Sequence, residues 1–570
     1  MFWGSILSAI IAVAGIWYKV AYVKPEFVVV PVHSTEPVTA WLPELRAWWK
    51  DAVIYQVYLR SYQDSDGDGV GDIKGLIDRL SHLSELGVDA IWISPIHPSP
   101  DYDFGYDVED YYGVHTKYGS LRDFDDLIRA CKQRGIKVVL DLVVNHTSDQ
   151  HPWFRESRSS RNHPKRDWYI WADQPNNWLS RLNEPAWVYD NQTQQYYMHS
   201  FFKEQPDLNW RHPEVRAEVK KIMRFWLDKG VAGFRLDLAN YFLKDPALRD
   251  NPITWNQAHT ALFYGYHWQK HLYDKDSPEL LDVYRDLRQI TDPYEAVLLG
   301  EIDSDDHRAN LSASYLGEKL DALNLAFNFD FLESSFEAQQ FADVIQAWEQ
   351  VLPPGGQPVY TLSNHDKVRH MTRYGDSWEK ARLAAMLLLT LKGTPVLYYG
   401  EEIGMKEAQI SDDHMQDPLE RIVRSAVPFV SRFIHIGRDG CRTPMQWGSG
   451  PYAGFSTGHP WVAMSDRTAS VSEQREDYDS LLWLYRKLIG LRKWEDALRL
   501  GDQVIQTHDH PDVLLYSRRY QGKTIWVALN FGAQKVRLEH ASEPKVHLST
   551  YAEESDGKSL RPYEGVIWTH

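Results

Sequence analysis

The chain has 570 residues, and its 43% hydrophobic and 25% charged content is typical of a globular protein with two or three domains. A formal net charge of −17 argues against nucleic-acid binding, which requires a basic surface. The two cysteines, Cys131 and Cys441, are too few for a disulfide framework and have no metal-ligand spacing around them.

The N-terminus carries an uncharged run, FWGSILSAIIAVAGIWY, over residues 2–18. Its length is near the lower limit of a membrane span, and it lacks the basic leading segment of a secretory signal. We expect a membrane anchor over residues 1–24, a linker over residues 25–46 and a membrane-associated protein. A buried helix and a cytoplasmic protein are the alternatives. Lys19 and Lys24 follow the run and favour a cytoplasmic main body.

A short loop, DSDGDGVGD over residues 64–72, carries four aspartates separated by glycines. The spacing resembles the first half of a calcium-binding loop, in which acids at positions 1, 3 and 5 face one ion. Position 12 is Gly75, where a loop of that kind needs a bidentate Glu. From the spacing alone, a solvated turn and a metal loop of another kind both remain open.

Eight apolar, β-branched runs alternate with amphipathic helical segments after residue 46. We predict strands over residues 52–59, 89–94, 136–144, 231–236, 296–300, 323–331, 358–363 and 395–400. A typical intervening helix is predicted over residues 120–135. Near-continuous apolar strands indicate burial on both faces, so the pattern predicts a parallel α/β fold closed as a (β/α)8 TIM barrel. An open doubly wound sheet is the alternative.

Two segments interrupt this alternation. The connection after the third strand is long and rich in Trp, Tyr, Asn and Pro, which predicts an inserted subdomain over residues 146–210. Past residue 490, short alternating runs such as VLLYSRRY predict a C-terminal antiparallel β-sandwich domain over residues 491–570. The barrel then comprises residues 47–145 and 211–490.

Three acids lie at the ends of predicted barrel strands: Asp237 and Glu301 directly follow their strands, and Asp366 ends the Asn364-His365-Asp366 segment after its strand. In a barrel of this kind the carboxyl ends of the strands meet at one active mouth. One acid alone after a strand is more often a helix N-cap, but the set also has polar neighbours. These neighbours are Arg235, His365, Asn145 and His146. The convergence indicates a catalytic site.

Carboxylates that share one pocket repel each other, which raises the pKa of at least one and separates a proton donor from an ionised partner. Hydrolysis of a glycosidic bond requires this division of labour. Arg235 lies two positions before Asp237 on an extended segment, so we expect it to project to the same side and hold that aspartate ionised.

Several segments resemble the conserved motifs of the α-amylase superfamily of glycoside hydrolases, in order and at fitting intervals. They are DLVVNH (141–146), QPDLN (205–209), GFRLDLANY (233–241), LLGEI (298–302) and LSNHD (362–366). Three further segments are similar to the α-glucosidase and oligo-1,6-glucosidase branch: DFGYD (103–107), HLYDK (271–275) and RDGCRTPMQW (438–447). The resemblance covers roughly residues 47–570.

This resemblance implies a retaining α-glucosidase with Asp237 as nucleophile, Glu301 as acid/base and Asp366 as transition-state stabiliser. It also implies which residues line the subsite for the terminal glucose: Asp103, Tyr106, His146, Arg235, His365 and Arg438. If Asp103 and Arg438 pair across the back of the pocket, the cleft is closed to longer chains and the enzyme is exo-acting.

The resemblance also gives the acidic loop a role. In the resembling glucosidases the matching loop holds one structural calcium ion, which implies a Ca²⁺ site in this chain. The implied ligands are Asp64, Asp66, Asp68, the Val70 carbonyl and Asp72. Glycines between the acids permit the tight curvature that turns successive side chains inward.

The preferred linkage is less directly indicated. In this branch a small residue or Thr after the nucleophile accompanies α-1,4 substrates, and Val accompanies α-1,6 substrates, but this chain has Leu238. The flanking LANY and the segment ALRDNP (247–252) look more like bacterial α-1,4-preferring glucosidases. We therefore expect maltose-like oligosaccharides as substrates.

Two rival interpretations share these motifs. Heavy chains of amino-acid transporters join a membrane span to a glucosidase-like domain without activity, and KEQPDLN (203–209) and RFWLDKGV (224–231) are similar to them. Because this chain keeps all three acids, we expect an enzyme. Sucrose isomerases and trehalose synthases are the other rivals, and transglycosylation as a side activity stays open.

Overall fold

The computed structural model describes residues 47–254, 265–304, 308–426, 437–467, 470–506, 510–538 and 543–570. The anchor predicted over residues 1–24 and the linker over 25–46 lie outside these described residues. Within the described ranges, no helix has both the length and the apolar character needed to cross a membrane, which takes about 20 apolar residues. We therefore correct the prediction of a membrane-associated protein, since it rested on a short apolar run alone.

The centre of the molecule is a parallel eight-stranded sheet, with strands numbered here along the whole chain. The barrel strands are β1 (Ile54–Val57), β2 (Ala90–Ile93), β3 (Lys137–Leu142), β7 (Gly233–Leu236), β8 (Val297–Gly300), β9 (Leu325–Ala326), β10 (Val359–Thr361) and β11 (Thr394–Tyr398). Their order is β10-β11-β1-β2-β3-β7-β8-β9, and a parallel bridge between Phe327 and Val359 joins the two ends. The predicted (β/α)8 barrel is confirmed.

Alternate residues of most barrel strands enter two different cores. One set, which includes Ile54, Trp92 and Leu299, fills the barrel interior. The neighbouring set, which includes Tyr55, Ile93 and Leu298, packs outward into the main core with the helices. Burial on both faces explains why these strands read as continuous apolar runs instead of alternating with polar residues.

The helices of the described residues are Ile73–Leu86, Leu121–Gln133, Pro152–Ser159, Pro213–Asp228, Leu280–Thr291, Arg308–Ser314, Phe329–Leu332, Ala338–Val351, His370–Arg373, Trp378–Thr390, Pro418–Ala426, Val471–Glu476, Leu481–Trp494 and Asp496–Leu500. The helix predicted over residues 120–135 begins where Ser120 and Asp123 form a reciprocal capping box. The strand predicted over residues 323–331 is shorter than expected. The Asn328 side chain accepts from the Phe331 N–H and starts a helix at Phe329.

The long connection after β3 holds a small antiparallel sheet of β4 (Trp171–Ala172), β5 (Trp187–Asp190) and β6 (Gln195–Met198), in the order β4-β6-β5. This sheet has its own hydrophobic cluster, which includes Trp178, Trp187 and Met198. The aromatic content of this connection therefore fills a local core beside the barrel.

The C-terminal strands are β12 (Asp502–Ile505), β13 (Val513–Tyr520), β14 (Lys523–Asn530), β15 (Val536–Arg537), β16 (Lys545–Ser549), β17 (Ser559–Leu560) and β18 (Gly565–Thr569). An antiparallel sheet in the order β12-β13-β14-β18-β16 packs on the β15-β17 pair, since Val536 and Leu560 share a cluster with Val566. Its other face joins the main core, and the buried Arg518 donates to the Thr390 carbonyl at 2.6 Å. The predicted sandwich is confirmed and is fixed to the barrel.

Candidate active site

The barrel delivers the three candidate acids to one mouth. Asp237 directly follows β7, Glu301 directly follows β8, and Asp366 lies five residues beyond the end of β10. The carboxyl ends of parallel barrel strands all lie on the same face of the barrel. The three acids follow these ends, so they surround one opening.

Arg235 is the centre of this cluster. Its Nη1 lies 2.8 Å from both Asp141 Oδ1 and Asp237 Oδ1, and its Nη2 donates to Glu301 Oε2. Asp141 and Arg235 are register partners on the adjacent strands β3 and β7, so the sheet itself sets their contact. One guanidinium, only 2% exposed at its side chain, therefore faces three carboxylates.

The protonation of this cluster differs from the expectation drawn from sequence. Burial raises the pKa of Asp237 well above its ordinary value, and the nearby Glu301 carboxylate raises it further, although Arg235 opposes both effects. Burial likewise raises the pKa of Glu301, with repulsion from Asp366 adding to it. Arg235 contacts Asp237 as predicted, but it does not alone keep that aspartate ionised, because its single charge is shared.

Asp366 has the opposite electrostatic environment. Arg442 Nη2 lies 2.8 Å and Arg438 Nη1 lies 3.5 Å from its Oδ1, and His365 Nε2 lies 3.2 Å from its Oδ2. Burial alone would raise the pKa of Asp366, but these neighbours outweigh it and hold the pKa below its ordinary value. The mouth therefore combines an ionised acid with two acids that retain protons more readily.

His365 is held as a neutral ring. Burial lowers its pKa to about 3. Gln56 Nε2 can only donate, so at 2.8 Å it fixes His365 Nδ1 as the acceptor and leaves the hydrogen on Nε2. That nitrogen lies 2.6 Å from the Tyr106 hydroxyl, which in turn donates to Asp141 Oδ2 at 3.1 Å. This chain of hydrogen bonds links His365 to the Arg235 cluster.

An ion pair lies across another wall of the mouth. Arg438 Nη2 is 2.8 Å from Asp103 Oδ1, as expected from the sequence. The same guanidinium binds the fully buried Asp417 through both Nε and Nη2, at 3.0 and 2.9 Å. Asp417 thus fixes the direction in which Arg438 points.

His146 also lies at this wall. Its Nε2 is 2.9 Å from the Tyr106 carbonyl and 3.3 Å from Gln205 Nε2. Gln205 Nε2 in turn lies 3.4 Å from Asp103 Oδ2. The structure therefore brings together all nine residues predicted for catalysis and sugar binding.

Several partners at the mouth were missed from sequence. Asp141 lies within the quoted DLVVNH segment but reads as a strand residue, and Arg442 lies within RDGCRTPMQW without a distinguishing signal. Gln56 sits inside the apolar run of β1, where a buried polar residue was the available hint. Asp417 follows no predicted strand and carried no signal at all.

The acidic loop gathers three of its four aspartates. Carboxylate oxygens of Asp64, Asp66 and Asp72 lie within 4.8 Å of one another. Asp68 is not in this group, and its Oδ1 accepts from the Val70 N–H at 2.8 Å. Asp72 also caps the helix Ile73–Leu86 by accepting from the Gly75 N–H. Oxygen-only ligands at this spacing fit a hard cation such as Ca²⁺.

The loop is held tightly against a distant part of the chain. Gly69 has a φ of +90°, and a Cβ there would lie 2.0 Å from the His459 carbonyl oxygen. Ser456 belongs to the same distant segment, and its Oγ donates to Asp64 Oδ2 at a distance of 2.5 Å. Gly71 was expected to permit tight curvature, but the structure gives another reason for a glycine there. The backbone packs so closely against residue 59 that a Cβ on Gly71 would lie 2.1 Å from the Leu59 carbonyl oxygen.

Comparison with known proteins supplies an independent line of evidence. Residues 56–501 match the alpha-amylase catalytic domain family. The chain is 41% identical over 523 residues to the probable alpha-glucosidase of Rhizobium meliloti (strain 1021), covering 88% of this chain and 93% of that protein. It is 35% identical over 562 residues to the oligo-1,6-glucosidase of Halalkalibacterium halodurans, covering 91% and 98%.

Solved structures are similar over nearly the whole chain. The alpha-glucosyl transfer enzyme XgtA superimposes with a TM-score of 0.85 at 40% identity, covering 92% of this chain and 99% of that one. The trehalulose synthase MutB, as its A258V mutant, superimposes with a TM-score of 0.82 at 32% identity, covering 92% and 100%.

The buried pair of Arg438 and Asp417 leads to a stability prediction. Arg438→Gln leaves the Asp417 carboxylate buried without its cation, so we expect a loss of about 3–5 kcal/mol in the free energy of unfolding at pH 7. The Arg438→Gln/Asp417→Asn double variant removes the unpaired charge and should lose less. Chemical denaturation measures both.

The same pair predicts a pH dependence. Arg438 outweighs burial and lowers the pKa of Asp417 to about 2, below its value of about 3.9 in an unfolded chain. The stabilisation is therefore present above about pH 4 and lost as the pH falls towards 2, so the gap between wild type and Arg438→Gln should narrow there. A gap that stays constant down to pH 2 would contradict this assignment.

Proposed function

Because the chain belongs to the α-amylase family of glycoside hydrolases, we propose that it is a retaining, exo-acting α-glucosidase that releases terminal glucose from short, maltose-like oligosaccharides. The observation that carries the proposal is the electrostatic contrast in the mouth. Asp237 and Glu301 have raised pKa values, while Asp366 has a lowered one. A site with this contrast can hold a proton donor beside an ionised partner.

In the proposed reaction, Glu301 carries the proton and Asp237 is the nucleophile. The raised pKa of Glu301 keeps its proton to a higher pH than that of an ordinary glutamate. When Glu301 is protonated, Arg235 remains 2.8 Å from Asp237 as the partner of its negative charge. Arg235 thus stabilises whichever of the two acids is ionised.

Both steps balance with water as the only co-substrate. The Asp237 carboxylate forms a bond to the anomeric carbon while the Glu301 proton passes to the departing glycosidic oxygen. The Glu301 carboxylate then takes a proton from water, whose oxygen attacks the anomeric carbon and breaks the bond to Asp237. Glucose leaves with retained configuration, and Glu301 is protonated again.

Asp366 and His365 are proposed to hold the sugar ring. An ionised carboxylate accepts hydrogen bonds from two adjacent hydroxyls, and such charge-assisted bonds are stronger than neutral ones. The rigid hydrogen-bond chain from Gln56 through His365 to Tyr106 fixes the orientation of the imidazole. These groups would bind the terminal glucose and strengthen their contacts as its ring distorts.

The exo-action is proposed to follow from the Asp103–Arg438 ion pair. Because Asp417 fixes Arg438, the pair is a stiff wall across the mouth and not a mobile surface contact. Both groups keep spare hydrogen-bonding capacity for the hydroxyls at the non-reducing end. A wall here admits one terminal glucose and excludes the interior of a starch chain.

A transglucosidase acting on sucrose or trehalose is the second candidate function. It is favoured by the structural likeness to the alpha-glucosyl transfer enzyme XgtA and to trehalulose synthase. Both chemistries share the covalent glucosyl intermediate and differ in whether water or a sugar hydroxyl attacks it. The product mixture therefore distinguishes them.

A substrate panel tests the proposed function. We expect glucose release from maltose to be fastest among maltose, isomaltose, sucrose, trehalose and soluble starch, with starch among the poorest. Asp237→Ala should lower kcat by about 10³-fold or more, because it removes the attacking group.

Asp292→Ala is the matched control, since Asp292 is a half-exposed aspartate paired with Arg288 on the surface. It should retain full activity. Isomerised disaccharides in place of free glucose would support the transglucosidase, and an absence of turnover on every sugar would overturn both candidates.

Leu238 is proposed to influence linkage preference. It directly follows Asp237, its side chain is half-buried, and its N–H donates to Glu301 Oε2 at 3.2 Å. Leu238→Val should raise the ratio of kcat/KM for isomaltose over maltose by about tenfold, a typical effect of pocket shape.

Leu238→Thr is the matched control for this substitution. The backbone has a φ of +42° at this position, so both β-branched residues carry the same strain. Thr should leave the preference on the maltose side. An equal shift with Thr and Val would assign the effect to backbone strain and reject a selector role.

We propose that Asp64, Asp66 and Asp72 hold a structural Ca²⁺ ion, which would neutralise the repulsion among them. Chelation should then lower the thermal unfolding midpoint, and added Ca²⁺ should restore it. In Asp64→Asn the midpoint should no longer respond to either treatment. If the metal-free wild type melts at the original temperature, the ion site is contradicted and the loop is a solvated turn.

A further inference from the structure

Two loops at the catalytic mouth are joined to each other by hydrogen bonds. The β7 turn, residues 238–241, follows the proposed nucleophile Asp237. The β8 loop, residues 301–304, begins with the proposed proton donor Glu301. Because β7 and β8 are adjacent parallel strands, the two loops lie side by side at their carboxyl ends. The contacts between the loops therefore bear on the distance between the two proposed catalytic carboxylates.

The backbone of the β7 turn contacts Glu301 itself. The Leu238 N–H donates to Glu301 Oε2 at 3.2 Å, and the Ala239 N–H donates to the Glu301 carbonyl at 2.9 Å. Both bonds end at the first residue of the β8 loop. The course of the chain beyond Glu301 is set by other groups.

The side chain of Asn240 holds the next part of the β8 loop. Its Oδ1 accepts from the Asp303 N–H at 3.1 Å, and its Nδ2 donates to the Asp303 carbonyl at 2.8 Å. Lys275 Nζ donates to the same carbonyl at 3.2 Å. One buried amide thus binds both backbone groups of a residue two positions after Glu301.

The partners of Asn240 leave its amide one orientation. The other hydrogen of Nδ2 is donated to Asp276 Oδ1 at 2.7 Å. A flipped amide would turn its oxygen towards the Asp303 carbonyl and the Asp276 carboxylate, which are both acceptors. The Asp276 N–H also donates to the Asn240 carbonyl at 2.9 Å. Asn240 is therefore held from both sides, so it can keep the β8 loop in one place.

Tyr241 adds a contact from the same turn. Its hydroxyl donates to Asp303 Oδ2 at 2.8 Å and lies 2.7 Å from the Tyr266 hydroxyl. Arg181 Nε, from the inserted subdomain, lies 3.2 Å from the same carboxylate oxygen. Asp303 is therefore bound through both its backbone and its side chain, which fixes the path of the chain that leaves Glu301.

We propose that Asn240 is a positioning residue that sets the place of Glu301 relative to Asp237. This inference rests on the proposed function. A retaining glycosidase needs its two carboxyl groups about 5–5.5 Å apart. A misplacement of about 1 Å can cost about 100-fold in rate. Asn240 is 0% exposed, so it acts through Asp303 and not by contact with the substrate.

Two substrates that share the glucosyl group and differ in the leaving group test this role. Maltose needs a proton on its departing oxygen, whereas 4-nitrophenyl α-glucoside releases a stabilised phenolate and needs that proton much less. The ratio kcat/KM reports the first step, in which Glu301 acts as the acid. Asn240→Ala should lower kcat/KM about tenfold or more for maltose and only about threefold or less for the nitrophenyl substrate.

Asn530→Ala is the matched control. Asn530 is also 0% exposed, and its Nδ2 donates to the Gln534 and Arg561 carbonyls, both at 2.8 Å. Its Oδ1 accepts from the Gly532 N–H at 3.0 Å. It ends β14 in the C-terminal sheet, so its loss should lower the unfolding midpoint without changing the relative kcat/KM of the two substrates.

Tyr241→Phe keeps the test decisive if Asn240→Ala does not fold. It removes one hydroxyl bonded to Asp303 and leaves the ring in place. The kcat/KM of maltose relative to the nitrophenyl substrate should fall by about threefold, in the same direction as in Asn240→Ala. Unfolding midpoints show which variants are folded.

The outcomes separate this inference from the proposed function. If a folded Asn240→Ala loses activity equally on both substrates, or loses none, Asn240 does not position Glu301, although the proposed function stands. An unchanged relative kcat/KM in Tyr241→Phe has the same meaning where Asn240→Ala is unfolded. An equal shift in Asn530→Ala would assign the effect to lost stability and also overturn the inference. If the wild type turns over neither substrate, the proposed function and this inference are both rejected.

Discussion

The Arg235 guanidinium is the interaction on which the catalytic mouth depends. Three carboxylates, from Asp141, Asp237 and Glu301, are buried around it. Without a central cation their desolvation would make this arrangement prohibitively unfavourable. The adjacent strands β3, β7 and β8 deliver all four groups, so the parallel register of the barrel and the chemistry of the mouth are set together.

The charges around the mouth are unevenly distributed, and this unevenness is what the proposed chemistry uses. On one side a single cation contacts three acids, and on the other the two cations Arg438 and Arg442, with the neutral His365, surround Asp366. A proton entering the mouth is therefore held at the Asp237–Glu301 pair and not at Asp366. The position of the proton follows from the number of cations available to each carboxylate.

Sequence alone predicted the barrel, because strands buried on both faces leave continuous apolar runs that helices do not. It also located Asp237, Glu301 and Asp366, since each follows such a run. Partners such as Asp417 could not be predicted, because a loop residue acquires its role only through three-dimensional contact. The membrane prediction was wrong for a related reason: it rested on the composition of one isolated segment.

Leu238, which follows the proposed nucleophile Asp237, connects the proposed linkage preference with the proposed proton donor. Leu238 adopts a left-handed backbone conformation, and this turn directs its N–H at Glu301 while its side chain stays half-buried. The backbone bond persists whatever side chain is present, provided that the residue tolerates a positive φ. The side chain can therefore change without removing a hydrogen bond from Glu301. Under the proposed function, this separation of backbone and side-chain roles would let linkage preference change while Asp237 and Glu301 remain in place.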